Sequence, residues 1–528
     1  MPIIVTEIKT SLDTKKEDII SIAVKSLDLN LNMIKFIDIY KTSLDARKQN
    51  DIHFVNSVYI ELKETSLEKS ICEKNNKILY MENYKYTPII STEKHDGDII
   101  IVGFGPAGIF CALSLVENGY KPIIIERGED IDSRVKSVND FWEKAILNVE
   151  SNVQFGEGGA GTFSDGKLTT RIKDPLCRYV LDKFIQFGAP KEILTKAKPH
   201  IGTDKLRNVV KNIRNYIIDK GAQVHFNTCC SNLEFEFSNI KKVITKNEKF
   251  NSSAVIMATG HSSRDTFEML HEKNVHLESK PFSIGVRIEH SQKDVDYSLY
   301  GKNMDNPLLP RGEYQLSYRD REERAVYTFC MCPGGYVVPS SSEKNTIVTN
   351  GMSEFARDGE NANSAMVVSV SSRDFGLNPL DGVYFAREIE KKAFNSAGCN
   401  YKAPAASVGN FINNKKGISS KLTPTYSIGV VESNFEDIFP SKINEMLKLG
   451  LKIFSRKMNC FSNVDAIMTA PETRTSSPVK ILRNSEMRSV SVDNLYPCGE
   501  GSGYAGGIMS AAVDGLKVAL KIMENYAP

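Results

Sequence analysis

The sequence predicts an α/β protein. A Rossmann-like domain is interrupted by an inserted β-rich substrate or cap domain and preceded by a small α+β module of ferredoxin-like type. Three observations predict this. Residues 98–102 (DIIIV) are a short apolar run that passes straight into a glycine-rich turn and an amphipathic segment. Residues 280–470 change texture, to short β-like pieces broken by Pro and Gly (PFSIGVRIEH, CPGGYVVPS, APAASVGNF). Residues 471–528 then return to strand, loop and helix, closing the first fold around the insertion.

The N-terminal unit spans residues 1–95. Residues 2–9 read as a strand, 16–26 carry apolar residues at helical spacing, and 33–40 and 51–62 (DIHFVNSVYIEL) alternate again. The polar stretch 91–97 (STEKHDG) reads as the linker to the main domain, whose first part is 96–279.

With 528 residues the chain has room for about three domains at the usual size. Its 67 basic and 65 acidic residues balance to a net charge of +2. That balance argues against nucleic acid or an anionic membrane as the main partner, because both call for a basic excess. The amino terminus lacks the charged and apolar regions of a secretory signal, and no apolar run reaches the length of a membrane span. Ten irregularly spaced cysteines in a long chain fit buried thiols in a reducing compartment. The expectation is a cytoplasmic protein with a small-molecule substrate and no metal site. The sequence leaves the oligomeric state open.

The glycine-rich turn is Gly103-Phe104-Gly105-Pro106-Ala107-Gly108. In a dinucleotide fingerprint Gly103 makes the tight turn, Gly105 admits a pyrophosphate, and Gly108 lets helix and strand pack closely. The helix that follows offers free N–H groups and a partial positive charge to phosphates. A second apolar run, 122–125, ends in Glu126, followed by Arg127, about twenty residues past Gly103, where an acid meets a ribose diol.

An acid there favours FAD or NAD over NADP, and three further segments favour FAD. Residues 254–260 (AVIMATG) are a buried strand ending in a small-residue turn at Thr259 and Gly260. Residues 156–167 (GEGGAGTFSDGK) form a glycine loop, with Gly158 and Gly159, able to run flat against a cofactor. Residues 494–507 (NLYPCGEGSGYAGG) place Gly499 and Glu500 near a ribityl chain, and set Gly506, Gly507 and Ile508 at a helix start facing the pyrimidine side of a flavin. Gly501–Gly506 also spells the fingerprint, but no strand ending in an acid follows it, so no second dinucleotide domain is expected. NADH or NADPH would then act as a transient electron donor.

Candidate reaction residues are Lys167, Arg287, His290 and Arg474. Lys167 and Arg171 follow the glycine loop and fit a substrate carboxylate or the reduced flavin, or else a pyrophosphate contact or a plain surface charge. Arg287 and Glu289 fall on one face of a strand, which favours a structural ion pair. His290 is the natural proton donor by its ordinary pKa, or a solvated strand end. Arg474 lies in a polar run, 472–477, where it would grip an anion bidentately or join an interdomain cluster. Cys229-Cys230 and Cys330-Met331-Cys332 lack the spacing of flavin-linked disulfide reductases.

The chain resembles the FAD-dependent dehydrogenases known as FAD-dependent or NAD(FAD)-utilising proteins. The resemblance runs through residues 43–54 (SLDARKQNDIHF), the fingerprint, 153–167, 280–290 (KPFSIGVRIEH), 403–411, 472–479 (ETRTSSPV) and 496–514. It implies FAD binding and a glutathione-reductase-type FAD fold, and no particular substrate. More distantly the layout is similar to flavin-dependent double-bond reductases. The expected activity is therefore an FAD-dependent oxidoreductase on a small organic substrate, with C=C reduction in view. The alternatives are a flavin-dependent RNA-modifying enzyme and a flavin-loaded redox sensor or binding protein.

Overall fold

A computed structural model describes residues 2–74, 76–80 and 86–528. Three sheets organise the chain. The central one has five parallel strands in spatial order Gln223–His225, Ile123–Ile125, Asp98–Val102, Lys249–Met257 and Leu495–Pro497. Chain order is thus 3-2-1-4-5 across the sheet, the mixed doubly wound order that opens a crevice at the carboxyl ends of its first and fourth strands. Strands buried on both faces read as unbroken apolar runs, and Ile100, Ile101, Ile124 and Val255 are wholly buried. The N-terminal half of Lys249–Met257 leaves the parallel set and pairs antiparallel with the hairpin Cys230–Glu236 and Asn239–Thr245.

Two helices close one face. Pro106–Glu117 follows the fingerprint, and Ile508–Asn525 ends the chain. They touch at Gly515, where a Cβ would lie 2.1 Å from the carbonyl oxygen of Ala107, so any side chain there would force the pair apart. The final helix is tied down at its far end, where the Tyr120 hydroxyl donates to the carbonyl of Tyr526 at 2.6 Å. Residues read as a linker run along this helix, with the Ser91 amide donating to Met523 at 2.7 Å.

The chain crosses into the insertion through a two-stranded seam, Leu277–Ser279 against Val479–Ile481. Strand Ile467–Glu472 therefore belongs to the sheet of the insertion, and residues 473–478 run back toward the seam. That sheet has seven strands, with Phe282–Ser291 at its centre between Asn361–Val370 and Ile467–Glu472. Helices Asp381–Ser396 and Ser441–Ser455 pack their apolar stripes, including Ile389, Phe394, Leu447 and Phe454, into its core.

The N-terminal module adds one helix and one strand to the sequence reading. Its order is strand Ile3–Thr10, helix Lys16–Ser26, strands Ile34–Asp45 and His53–Leu62, helix Ser66–Lys74 and strand Ile78–Tyr80. All pairings are antiparallel, with the first strand between the third and fourth. Its edge strand is stitched to the main domain: the Thr42 amide donates to Thr195 at 2.7 Å, and the Ala197 amide donates to Thr42 at 2.9 Å. Among the described residues no helix is long and apolar enough to cross a membrane.

Candidate functional site

The carboxyl ends of the central strands open onto a cavity of about 470 Å³ that continues under the inserted sheet. Its first wall is the fingerprint. Gly103 has φ +104°, and a Cβ there would lie 2.5 Å from the carbonyl oxygen of Ala258, so the turn needs glycine. At Gly105 a Cβ would meet only Gly159, at 3.7 Å, on the cavity side. Gly108 lies behind the cavity, where a Cβ would sit 2.0 Å from the Gly103 carbonyl oxygen. The tight turn at Gly103 and the close packing at Gly108 are those the sequence assigns, and Gly105 leaves its cavity side open. Pro106 is the first residue of the helix and no side chain caps it, so the amides of Ala107 and Gly108 present themselves at its open end.

Glu126 organises this wall. Its carboxylate accepts from the amides of Phe104 at 2.8 Å, Gly128 at 2.9 Å and Gly156 at 3.0 Å, and the residue still borders the cavity. Arg127 borders it too, but its guanidinium is already committed. It forms a fork with Asp265 at 3.0 and 2.9 Å, donates to Glu150 at 2.9 Å, and lies over the Phe155 ring. Arg127 thus fixes the wall through its side chain.

The glycine loop is shaped from beneath by Arg134, which is wholly buried. Its fork donates to the carbonyls of Asn152, Val153, Gly156 and Glu157. Burial opposes that charge and lowers its pKa to about 9. Gly159 reaches the cavity, whereas Gly158, with φ +82°, packs on Thr162 behind it.

The third wall comes from the chain terminus. Gly507 precedes helix Ile508–Asn525 with no side-chain cap, and a Cβ at Gly506 or Gly507 would meet nothing within 4 Å. The Gly506 amide rests on the Ser510 hydroxyl at 3.1 Å, which leaves Gly507 and Ile508 at the electropositive helix start. Thr259, Gly260 and Glu500 line the same stretch, and His261 Nδ1 stands 3.4 Å from Glu500. Gly499 lies outside the cavity, donating its amide to Asp514 at 2.7 Å.

At the far end the insertion contributes Glu313, Thr328, Cys330, Asn350 and Arg357. Lys167 reaches Glu313 at 3.1 Å and Asp165 at 3.4 Å, Lys198 reaches Glu313 at 2.7 Å, and Arg357 forks onto Asp165. Burial works against the Lys167 charge, but the two carboxylates outweigh it and raise its pKa. Arg171 is exposed and away from the cavity.

Arg474 also borders the cavity. Its Nε and Nη2 bind Glu390 at 3.0 and 3.2 Å, while the buried Nη1 has no partner. Glu390 in turn takes the fork of Arg264 at 2.8 and 2.8 Å, so this cluster bolts the insertion to the central domain. The structure thus shows Arg474 in the interdomain cluster that the sequence offered as one of its two readings.

Two expectations are corrected. Arg287 is wholly buried, and its pair is Glu472 at 2.9 and 3.1 Å, not Glu289. Its remaining donors go to Cys330, Asn363 and Asn350, so nothing is left for a substrate. Glu289 is buried on the amide and hydroxyl of Thr425 and on Asn361. His290 lies in the core of the insertion between the rings of Tyr314 and Phe461, outside the main cavity. Burial lowers its pKa to about 4, which unsuits it as a proton donor near neutrality. The residues that sequence reasoning missed, Glu313, Asn350 and Arg357, come from separate loops and a short strand and carry no local signature.

The surfaces that meet in the cavity fit an adenine dinucleotide carrying a flavin: an open helix start beside Gly105, a cradle at Gly506 and Gly507 that a side chain would fill, and a carboxylate at the end of the second strand. Comparison with known proteins agrees. Residues 281–475 match the family described as FAD-dependent protein, C-terminal domain-like, and residues 2–61 match a domain of unknown function. An uncharacterized protein of Clostridium beijerinckii is 46% identical over 533 residues, covering 100% of this chain and 99% of that protein. The chain belongs to this family of FAD-dependent proteins.

Solved structures similar to the chain include glycine oxidase from Bacillus cereus, at 10% identity and TM-score 0.31, covering 81% of this chain and 95% of that one. A glycerol-3-phosphate dehydrogenase from Bacillus halodurans, complexed with FAD, has 10% identity and TM-score 0.34, covering 83% and 67%. Likenesses this weak do not bear on the site.

Proposed function

We propose that the protein is an FAD-dependent oxidoreductase, a dehydrogenase or reductase acting on a small organic substrate, with reduction of a carbon–carbon double bond as one candidate reaction. The observation that supports this most directly is the single continuous cavity. It starts at the fingerprint and Glu126, passes the helix start at Gly507, and ends among Lys167, Glu313, Cys330 and Arg357 of the insertion.

A bound FAD would supply two-electron chemistry at its ring. The chain's own residues do the rest. The open starts of helices Pro106–Glu117 and Ile508–Asn525 hold negative charge at two points along the cavity. Glu126 fixes the turn and offers its remaining lone pairs to a ribose, and Glu500 stands where a polyol chain would pass. Lys167, held by Asp165 and Glu313, and Arg474, held by Glu390, both border the cavity and are the basic groups nearest to a substrate bearing an anionic group. The insertion covers the far end of the cavity.

We read the N-terminal module assigned to residues 1–95 as ferredoxin-like from the order of its elements between Ile3 and Tyr80, and expect NADH or NADPH to be a transient donor, a cytoplasmic setting, and no nucleic-acid partner. The test is anaerobic stopped-flow mixing of the purified protein with NADH and with NADPH, followed by a screen of enoate and other small acceptors. Rapid bleaching of the flavin band followed by acceptor-dependent turnover is the expected result. Protein that stays colourless and gains no thermal stability from excess FAD would overturn the reading.

A further inference from the structure

Strand Ala325–Cys332 lies beside Asn361–Val370, and its register slips between Phe329 and Cys332. Within the slip Cys330 takes a left-handed conformation, φ +44°. A bulge of this kind bends the strand and re-aims its side chains. Here it turns Cys330 into the cavity wall and leaves Cys332 wholly buried behind it. The Cys332 thiol donates to the Cys330 carbonyl at 3.5 Å, which ties the two residues together across the bulge. Arg287 donates to the same carbonyl at 2.8 Å, and Lys167 borders the same end of the cavity.

The consequence is a dithiol beside two sets of ion pairs, Arg287 with Glu472 and Lys167 with Asp165 and Glu313. Their cations favour the thiolate, while Glu472 and Asp165 oppose it. The interaction with Cys332, helped by Arg287 and Lys167, lowers the pair's first ionisation below the usual thiol range, against the effect of burial. The second is raised by the charge already present and by burial. At Cys111, Cys230 and Cys498 burial pushes the thiol up instead. Reactive cysteines are those in electropositive, reachable sites, and buried apolar ones are inert.

We propose that Cys330 and Cys332 form a thiol–disulfide exchange site in the wall of the cavity, with Cys330 attacking small disulfides and Cys332 resolving. The Cys330 thiolate attacks one sulfur of R–S–S–R, forming a mixed disulfide and releasing RS⁻, which takes up a proton. The Cys332 thiol then loses its proton and attacks Cys330 sulfur, closing the Cys330–Cys332 bond and releasing the second RS⁻, which takes up that proton. Two protein thiols are oxidised and one disulfide is reduced to two thiols. The exchange needs no flavin, so it stands or falls apart from the oxidoreductase reading.

The test uses the flavin-loaded protein treated with oxidised glutathione, trapped with iodoacetamide and mapped by mass spectrometry. The wild type is expected to show the Cys330–Cys332 peptide lighter by two hydrogens and free of glutathione. Cys332→Ser is expected to turn that into a stoichiometric glutathione adduct on Cys330, and Cys330→Ser to leave Cys332 unmodified. In the untreated wild type, alkylation of Cys330 should show a lower pH midpoint than that of the exposed Cys399. A wild-type map in which Cys399 carries glutathione while Cys330 and Cys332 both remain alkylatable thiols would overturn the proposal. So would a stable glutathione adduct on wild-type Cys330. Both readouts come from the unsubstituted protein and survive any variant that fails to fold.

Discussion

The carboxylate of Glu126 accepts a hydrogen bond from the amide of Phe104 at 2.8 Å, so the end of the second strand holds the middle of the fingerprint turn. Two more amides, from Gly128 and Gly156, converge on its other oxygen. Charge-assisted bonds of this kind are worth about 1.5–3 kcal/mol each when a partner is lost. Glu126→Gln should therefore weaken FAD by about ten- to a hundredfold, seen in a fluorescence titration of the apoprotein. An unchanged dissociation constant would separate the acid from cofactor binding.

Two glycines of one turn should fail differently. Gly105→Ala places a methyl in the cavity with ordinary contacts, so the apoprotein should keep its melting temperature while FAD binding falls steeply. Gly108→Ala drives a methyl against the Gly103 carbonyl and should lower the melting temperature of the apoprotein itself. Matched thermal melts with and without FAD distinguish the two, and identical behaviour would refute the separation of roles.

Glu390 should give the protein an acid limit. Burial alone would raise its pKa, but Arg264 and Arg474 outweigh burial and hold it at about 2 against an ordinary 4.5. A carboxylate depressed in the folded state stabilises above its unfolded pKa, and that contribution fades as pH falls from about 4.5 toward 2. Glu390→Gln leaves two buried guanidiniums short of a counter-charge and should cost on the order of 3–5 kcal/mol at neutral pH. It should also flatten the acid slope in melts taken from pH 5 to pH 2.

His290 predicts a slope in a different window. Its folded pKa is about 4 and its unfolded value 6.5, so between these the unfolded chain alone binds a proton and stability falls as pH drops. His290→Phe should remove that slope and leave FAD binding untouched, because the ring lies outside the cavity. Loss of flavin in this variant would return His290 to the site.

The glycine-rich turn at the cavity's first wall was legible because its signals are local, whereas Gly158 and Gly499 fall outside the cavity. The tight turn, the close approach at Gly105 and the packing at Gly108 fall within six residues, and each needs glycine for its own steric reason. The reaction end was not legible. Arg287 meets Glu472 across 185 positions, and nothing near either residue marks the other. Alternation put Arg287 and Glu289 on one face correctly. In a central strand buried on both sides, however, the alternation does not say which partners each face will find. His290 was misjudged for the same reason, since a strand end in sequence proved to be a core position under Phe461. The fourth strand of the N-terminal module, Ile78–Tyr80, is only three residues long, too short for a periodic signal.

The stitch between Thr42 and residues 195–197 has a structural cost built into it. Those same residues lead into Lys198, which grips Glu313, and on to His200, which bridges to Lys167. Cutting away the first ninety residues would strip one rung from this ladder and bare unpaired backbone beside the corner that holds Lys167. The small module is therefore a brace for the deep end of the cavity, and a shortened protein would be expected to slacken there first.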